Sequence, residues 1–266
     1  MTSAIDELFV RTRSENRAAL VGYLPAGFPT LPYSIKAIEA MVEGGVDLVE
    51  LGLPYSDPVM DGPTIQAAAE QALVAGFRTS QVFEVVEASV AAGAPTVVMT
   101  YWNLVDRYGV DRFSADLAAA GGSGLVTPDL IPDEAAEWVA ASQQHGLDRT
   151  FLIAPSSTDD RLVMTAEAAS GFIYATAVMG VTGAREQTSS LGEELVARIK
   201  KVTDKPVGVG LGVSNGAQAR EIAAYADAVI VGSALVRCLL DAPDEAAGLD
   251  AIRSLARDLR AGVERN

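Results

Sequence analysis

One cysteine, Cys238, and one histidine, His145, stand among 266 residues, so the chain can form no internal disulfide and no Cys/His metal cluster. Cations are scarce as well: 20 Lys and Arg against 35 Asp and Glu leave a formal charge of −15. A nucleic-acid backbone or an anionic membrane surface calls for clustered Lys and Arg, so neither is expected as a partner, and any anionic ligand must be held locally. Nor is there an unbroken apolar run of membrane-spanning length. The longest uncharged stretches, 88–105 and 168–184, are interrupted by Gly93, Pro95 and Asn103 in one and by Gly171, Gly180 and Gly183 in the other. The first residues carry acids and lack the long apolar core of an export signal, so a cytoplasmic location is expected.

What is present is a hydrophobic content of 49%, enough to bury a large core. No linker, low-complexity tract or composition shift divides the chain, so residues 1–266 are expected to form a single domain. Short apolar runs at 18–24, 47–53, 96–100, 123–127, 150–154, 171–175, 206–210 and 228–232 read as strands, and none as drawn holds a Lys or Arg. Helical spacing fills the intervals, with an amphipathic helix at 5–13 before the first strand and a last helix at 245–263. Strands alternating with helices imply parallel pairing. Eight such units in about 250 residues fit a (β/α)₈ TIM barrel with an extra N-terminal helix and additional helices.

The stretch 47–66, DLVELGLPYSDPVMDGPTIQ, carries the chemistry. Its strand has period two, which puts Val49, Leu51 and Leu53 on one face and Leu48, Glu50 and Gly52 on the other. The all-apolar face suits the surrounding helices, so Glu50 points to the barrel axis, near the strand ends where barrels place their sites. An unpaired carboxylate there would be costly to bury and would have a raised pKa, suited to proton transfer. Pairing with a buried cation is the structural alternative. Asp61 precedes Gly62-Pro63-Thr64, a helix start with Pro in its first turn, and local pattern leaves it equally a helix cap or a site carboxylate. Glycine-rich loops at 180–184, 208–214 and 231–234 follow the last three strands. They read either as tight turns or as a cup of backbone N–H groups for a phosphate. Tyr174 shares a strand face with Phe172 and Thr176, with its hydroxyl near the site. Tyr101 and Trp102 read as packing residues, His145 as the end of a helix, and Cys238 as a small buried hydrophobe.

Taken together, VELGLPYSDPVMDGPTIQ (49–66), GVTG (180–183), GLGVS (210–214) and VGSALV (231–236) resemble the α subunit of tryptophan synthase, in an order and spacing that cover nearly the whole chain. The resemblance implies retro-aldol cleavage of indole-3-glycerol phosphate to indole and glyceraldehyde 3-phosphate. Glu50 matches the family's general acid/base, and Asp61 the carboxylate facing the indole N–H. Tyr174, Thr182, Gly183, Gly212, Gly232 and Ser233 match substrate-binding positions, the glycines and Ser233 around the phosphate. The resemblance further implies a 2:2 complex with a β subunit that holds pyridoxal phosphate, no cofactor in this chain, and a part for the loop around Asp57 in communication between subunits. Two departures stand out: Leu211 where an aromatic residue is common, and Ala177-Val178-Met179 in place of a more polar stretch. Two other readings remain compatible with the residues: a free-standing indole-releasing lyase, and a non-catalytic sensor of a phosphorylated ligand.

Overall fold

The computed structural model describes residues 2–176, 185–210 and 212–265; Thr182, Gly183, Val178 and Leu211 lie outside these ranges. Eight strands form a closed barrel in sequence order: β1 (Ala19–Pro25), β2 (Leu48–Gly52), β3 (Thr96–Met99), β4 (Gly124–Thr127), β5 (Asp148–Ile153), β6 (Ile173–Thr176), β7 (Val207–Gly210) and β8 (Ala228–Val231). Every neighbouring pair is parallel, and β8 closes onto β1.

Around the barrel run α1 (Ala4–Ser14), α2 (Leu31–Glu43), α3 (Pro63–Val74), α4 (Val82–Ala91), α5 (Trp102–Tyr108) and α6 (Val110–Ala119). The second half adds α7 (Ala136–His145), α8 (Asp159–Ala168), α9 (Arg185–Lys200), α10 (Gly216–Ala223), α11 (Ser233–Leu240) and α12 (Glu245–Gly262). The TIM barrel with additional helices is therefore borne out.

Side-chain alternation along the strands divides the core in two. Leu20, Leu24, Val49, Leu51, Val98 and Ile153 face the helices. Val21, Leu48, Val97, Val126, Phe172 and Ile230 fill the interior, together with Ile5, Leu8 and Phe9 of α1. Phe9 stacks near Phe172 at 6.0 Å between ring centres, so the extra N-terminal helix packs onto the interior cluster. Ser3 starts that helix with a reciprocal cap: its hydroxyl accepts from Asp6 N–H while the Asp6 carboxylate accepts from Ser3 N–H.

Three local expectations need correction. Strand β5 begins at Asp148 and so does contain an arginine, Arg149. Its guanidinium donates to Ser142 Oγ and the Ala168 carbonyl, away from Glu50. Helix α5 was not foreseen, because seven residues make only two turns and show too little of the helical period. The helical spacing between β4 and β5 does not give one unbroken helix: Ala135 N–H bonds Pro132 O three residues back, so a 3₁₀ turn at Pro132–Glu134 precedes α7.

Candidate active site

Strand β2 delivers Glu50 into the barrel as its parity requires. The residue is 1% exposed, and its Oε1 has no hydrogen-bond partner among the described residues. Burial alone pushes its pKa up to about 8. Among the described residues Glu50 thus has no ion-pair partner, and the structural alternative falls away.

Two phenols stand near it, and the sequence pattern pointed to only one. Tyr174, on the interior face of β6, turns its hydroxyl over Gly210, where an added Cβ would lie 2.7 Å from Oη. Tyr23 of β1 lies in register with Glu50, and its hydroxyl extends over Gly52, where an added Cβ would lie 2.1 Å away. Gly52 is glycine because Tyr23 occupies the space of its side chain. Burial raises both phenol pKa values well above the ordinary one; Asp61 and then Glu50 add to the effect on Tyr23, and Glu50 to that on Tyr174. Both phenols remain neutral, Tyr174 beside Glu50 and Tyr23 within reach of both carboxylates. Tyr23 was missed because its partners come from another strand and a loop.

Asp61 lies between β2 and α3, half-buried. Gly62 is the N-cap of α3 and no side chain caps that helix, which removes the capping alternative for Asp61. Burial raises the Asp61 pKa, and a hydrogen bond from the Tyr101 hydroxyl opposes that rise. Tyr101 therefore does more than pack: its hydroxyl also accepts the Met60 N–H at 3.0 Å. Asp61, Tyr23, Gly52 and Tyr101 line one small cavity with Met99 and Thr100. A larger cavity, of about 390 Å³, lies beside Tyr55, Phe77, Asn103 and Tyr108 and contains neither carboxylate. Size alone would have pointed away from both carboxylates.

The glycine-rich ends of β7 and β8 come together because these strands are neighbours. Gly212 has φ +65°, a left-handed conformation that other residues adopt at a cost. Gly232 is the N-cap of α11 and Ser233 its first residue, so the unpaired N–H groups of that helix start lie at the end of β8. Thr182 and Gly183, the other members of the expected phosphate site, lie outside the described residues. Asp57 is exposed on the same loop as Asp61, with its carboxylate accepting the Ser56 hydroxyl at 2.5 Å. His145 ends α7, as expected, and lies 2.7 Å from Asp111. Cys238 is only half-buried, its thiol donating to the Ala234 carbonyl within α11.

A closed parallel barrel with a buried acid and a second carboxylate beside the C-terminal ends of its strands belongs to the (β/α)₈ enzymes. Within that class the family is defined by sequence: the model for "Tryptophan synthase alpha chain" matches residues 9–264, and the chain belongs to that family. The tryptophan synthase alpha chain of Salinispora arenicola is 62% identical over 98% of both chains. That of Nocardia farcinica is 61% identical over 98% of this chain and 96% of its own. Among solved structures, tryptophan synthase from Mycobacterium tuberculosis superimposes with a TM-score of 0.93 at 56% identity, covering 100% of each chain. Tryptophan synthase subunit alpha from Legionella pneumophila retains a TM-score of 0.89 at 28% identity, covering 99% of each chain.

Proposed function

We propose that this chain is the lyase component of a tryptophan synthase, cleaving indole-3-glycerol phosphate into indole and glyceraldehyde 3-phosphate. The observation that carries the reading is the pair of carboxylates in unlike surroundings. Glu50, with a pKa near 8, is protonated at neutral pH and can deliver a proton to indole C3. Asp61, half-buried on the cavity it shares with Tyr101, is assigned to face the indole N–H as the carboxylate while positive charge spreads over the ring. Loss of the proton from the side-chain hydroxyl then lets the C–C bond break, with its electrons returning to the indole. Glu50, ionised after its first transfer, is the base within the barrel for that step.

Tyr174, Gly212, Gly232 and Ser233, with Thr182 and Gly183, are assigned to binding the substrate and its phosphate. A helix start and glycine backbone hold a dianion without a basic patch, which fits a chain of charge −15. Two carboxylates suffice for the proton transfers, so no cofactor is assigned to this chain. Among the described residues no helix is long and apolar enough to cross a membrane. The proposal places the chain, as one domain, in the cytoplasm with a β subunit in a 2:2 complex, pyridoxal phosphate residing in the partner. The exposed loop around Asp57 is assigned to contact between the two.

Indole release from indole-3-glycerol phosphate, followed with and without a β subunit, tests the reading. Slow release that rises sharply with the partner is expected. Fast release by the chain alone would favour a free-standing lyase, and phosphate-ligand binding with no release under either condition would leave only a sensor.

A further inference from the structure

The loop at 54–62 that carries Asp61 has no helix or strand, and the two residues before Asp61 stand in solvent, Val59 at 79% and Met60 at 52% exposure. Burial of these neighbours therefore does little to fix the direction of the Asp61 side chain. Polar contacts do, and two of them bracket the residue. On one side Met60 N–H donates to Tyr101 Oη at 3.0 Å; on the other Gln66 Nε2, in the first turns of α3, donates to the Asp61 carbonyl at 2.7 Å. Because the Tyr101 oxygen already accepts an N–H, its own proton is available to the Asp61 carboxylate, which lines the same small cavity.

Tyr101 is itself firmly seated. It is buried at the start of α5, its ring lies 5.2 Å from that of Tyr55, and Asn103 Nδ2 donates to the Tyr55 hydroxyl at 3.3 Å. The next residue, Trp102, is tied through its N–H to the Asp129 carboxylate at 2.9 Å. One phenol thus ties a rigid strand-to-helix junction to Met60 of an exposed loop and stands on the same cavity as the next residue, Asp61.

We infer that Tyr101 is the positioning residue for Asp61: its hydroxyl clamps the Met60 amide and the Asp61 carboxylate together and keeps that carboxylate turned to the barrel mouth. The inference rests on the role given to Asp61 above. The titratable groups around Asp61 are Tyr101 itself, Tyr23 from β1 and, beyond Tyr23, Glu50 from β2. The two phenols are neutral, so the acid limb of activity should report Asp61 and the higher limb Glu50.

The test is Tyr101→Phe, assayed as the complex with a β subunit over a range of pH, with a melting curve to confirm the fold. The ring remains and only the clamp is lost. A hydrogen bond to a charged group of ordinary strength corresponds to a fall in kcat of roughly tenfold to a hundredfold. KM should change little. Without its donor Asp61 holds a proton more tightly, so the acid limb of kcat/KM should move to higher pH while the higher limb stays. A uniform fall with no movement of the limb, or an unchanged profile, overturns the inference. Asp61→Asn, run beside it, separates the two claims. If that variant keeps the acid limb, the role of Asp61 fails and the inference with it; if it loses the limb while Tyr101→Phe leaves it in place, only the clamp fails.

Discussion

Two buried carboxylates three residues apart, Asp47 and Glu50, have opposite surroundings. Asp47 lies just before β2 and is fully engaged: Arg17 donates to both of its oxygens, at 2.6 and 2.8 Å, and Leu20 N–H adds a third bond at 2.9 Å. Arg17 is buried with it and is held further by Glu15 at 2.6 Å. Glu50, in the middle of that strand, carries an oxygen that nothing satisfies among the described residues. The first arrangement stabilises the fold. The second costs stability, and such a cost persists in proteins where the group has work to do.

The comparison is most sharply broken by Glu50→Gln. Removing a general acid/base lowers turnover by roughly a hundredfold to ten-thousandfold. Indole release by the variant with a β subunit should fall to that extent while substrate still binds; normal turnover would place the chemistry elsewhere. The converse variant, Arg17→Met, strands Asp47 without its principal partner. It should lower unfolding stability by about 3 to 5 kcal/mol in denaturant titration and leave kcat of the folded fraction intact.

Stability against pH sharpens the contrast further. The pKa of Glu50 rises on folding, from an ordinary 4.5 to about 8, so its penalty is absent below the unfolded value and complete above the folded one. One pH unit corresponds to about 1.4 kcal/mol, so at pH 7 the penalty amounts to about 3 kcal/mol. Glu50→Gln should therefore be more stable than the parent near pH 7, by an amount that shrinks towards zero as the pH falls to 4.5. Equal stability of the two proteins across that range would show that Glu50 finds a partner in solution. The smallest effect is expected from Gly52→Ala. Its methyl group would meet the Tyr23 hydroxyl and the ring carbons behind it, so the ring must shift, and a cost of about 1 to 3 kcal/mol in stability and a modest drop in kcat are expected.

Glu50 was legible because period two and a charge in an apolar strand are both local facts, and the strand's outer face left no other direction for it. The barrel was legible for the same reason: eight buried apolar runs separated by helical spacing admit few arrangements. Asp61 was only half legible, since an aspartate before Gly-Pro looks the same whether it caps a helix or faces a site. Tyr101 and Tyr23 were not legible at all in their polar roles. Their hydroxyls meet groups 41 residues away in the one case, as Tyr101 does with Met60, and across the β1–β2 pairing in the other.

The sequence alone thus determined the architecture, the inward direction of Glu50 and the family resemblance, because strand parity, hydrophobic spacing and short motifs are all written within a few residues. Only the tertiary structure decided that Asp47 is satisfied and Glu50 is not, that Gly62 and not Asp61 caps α3, and that two tyrosines reach over to the carboxylates. Desolvation and hydrogen bonding depend on what surrounds a group in space, and those surroundings exist only once the barrel has closed.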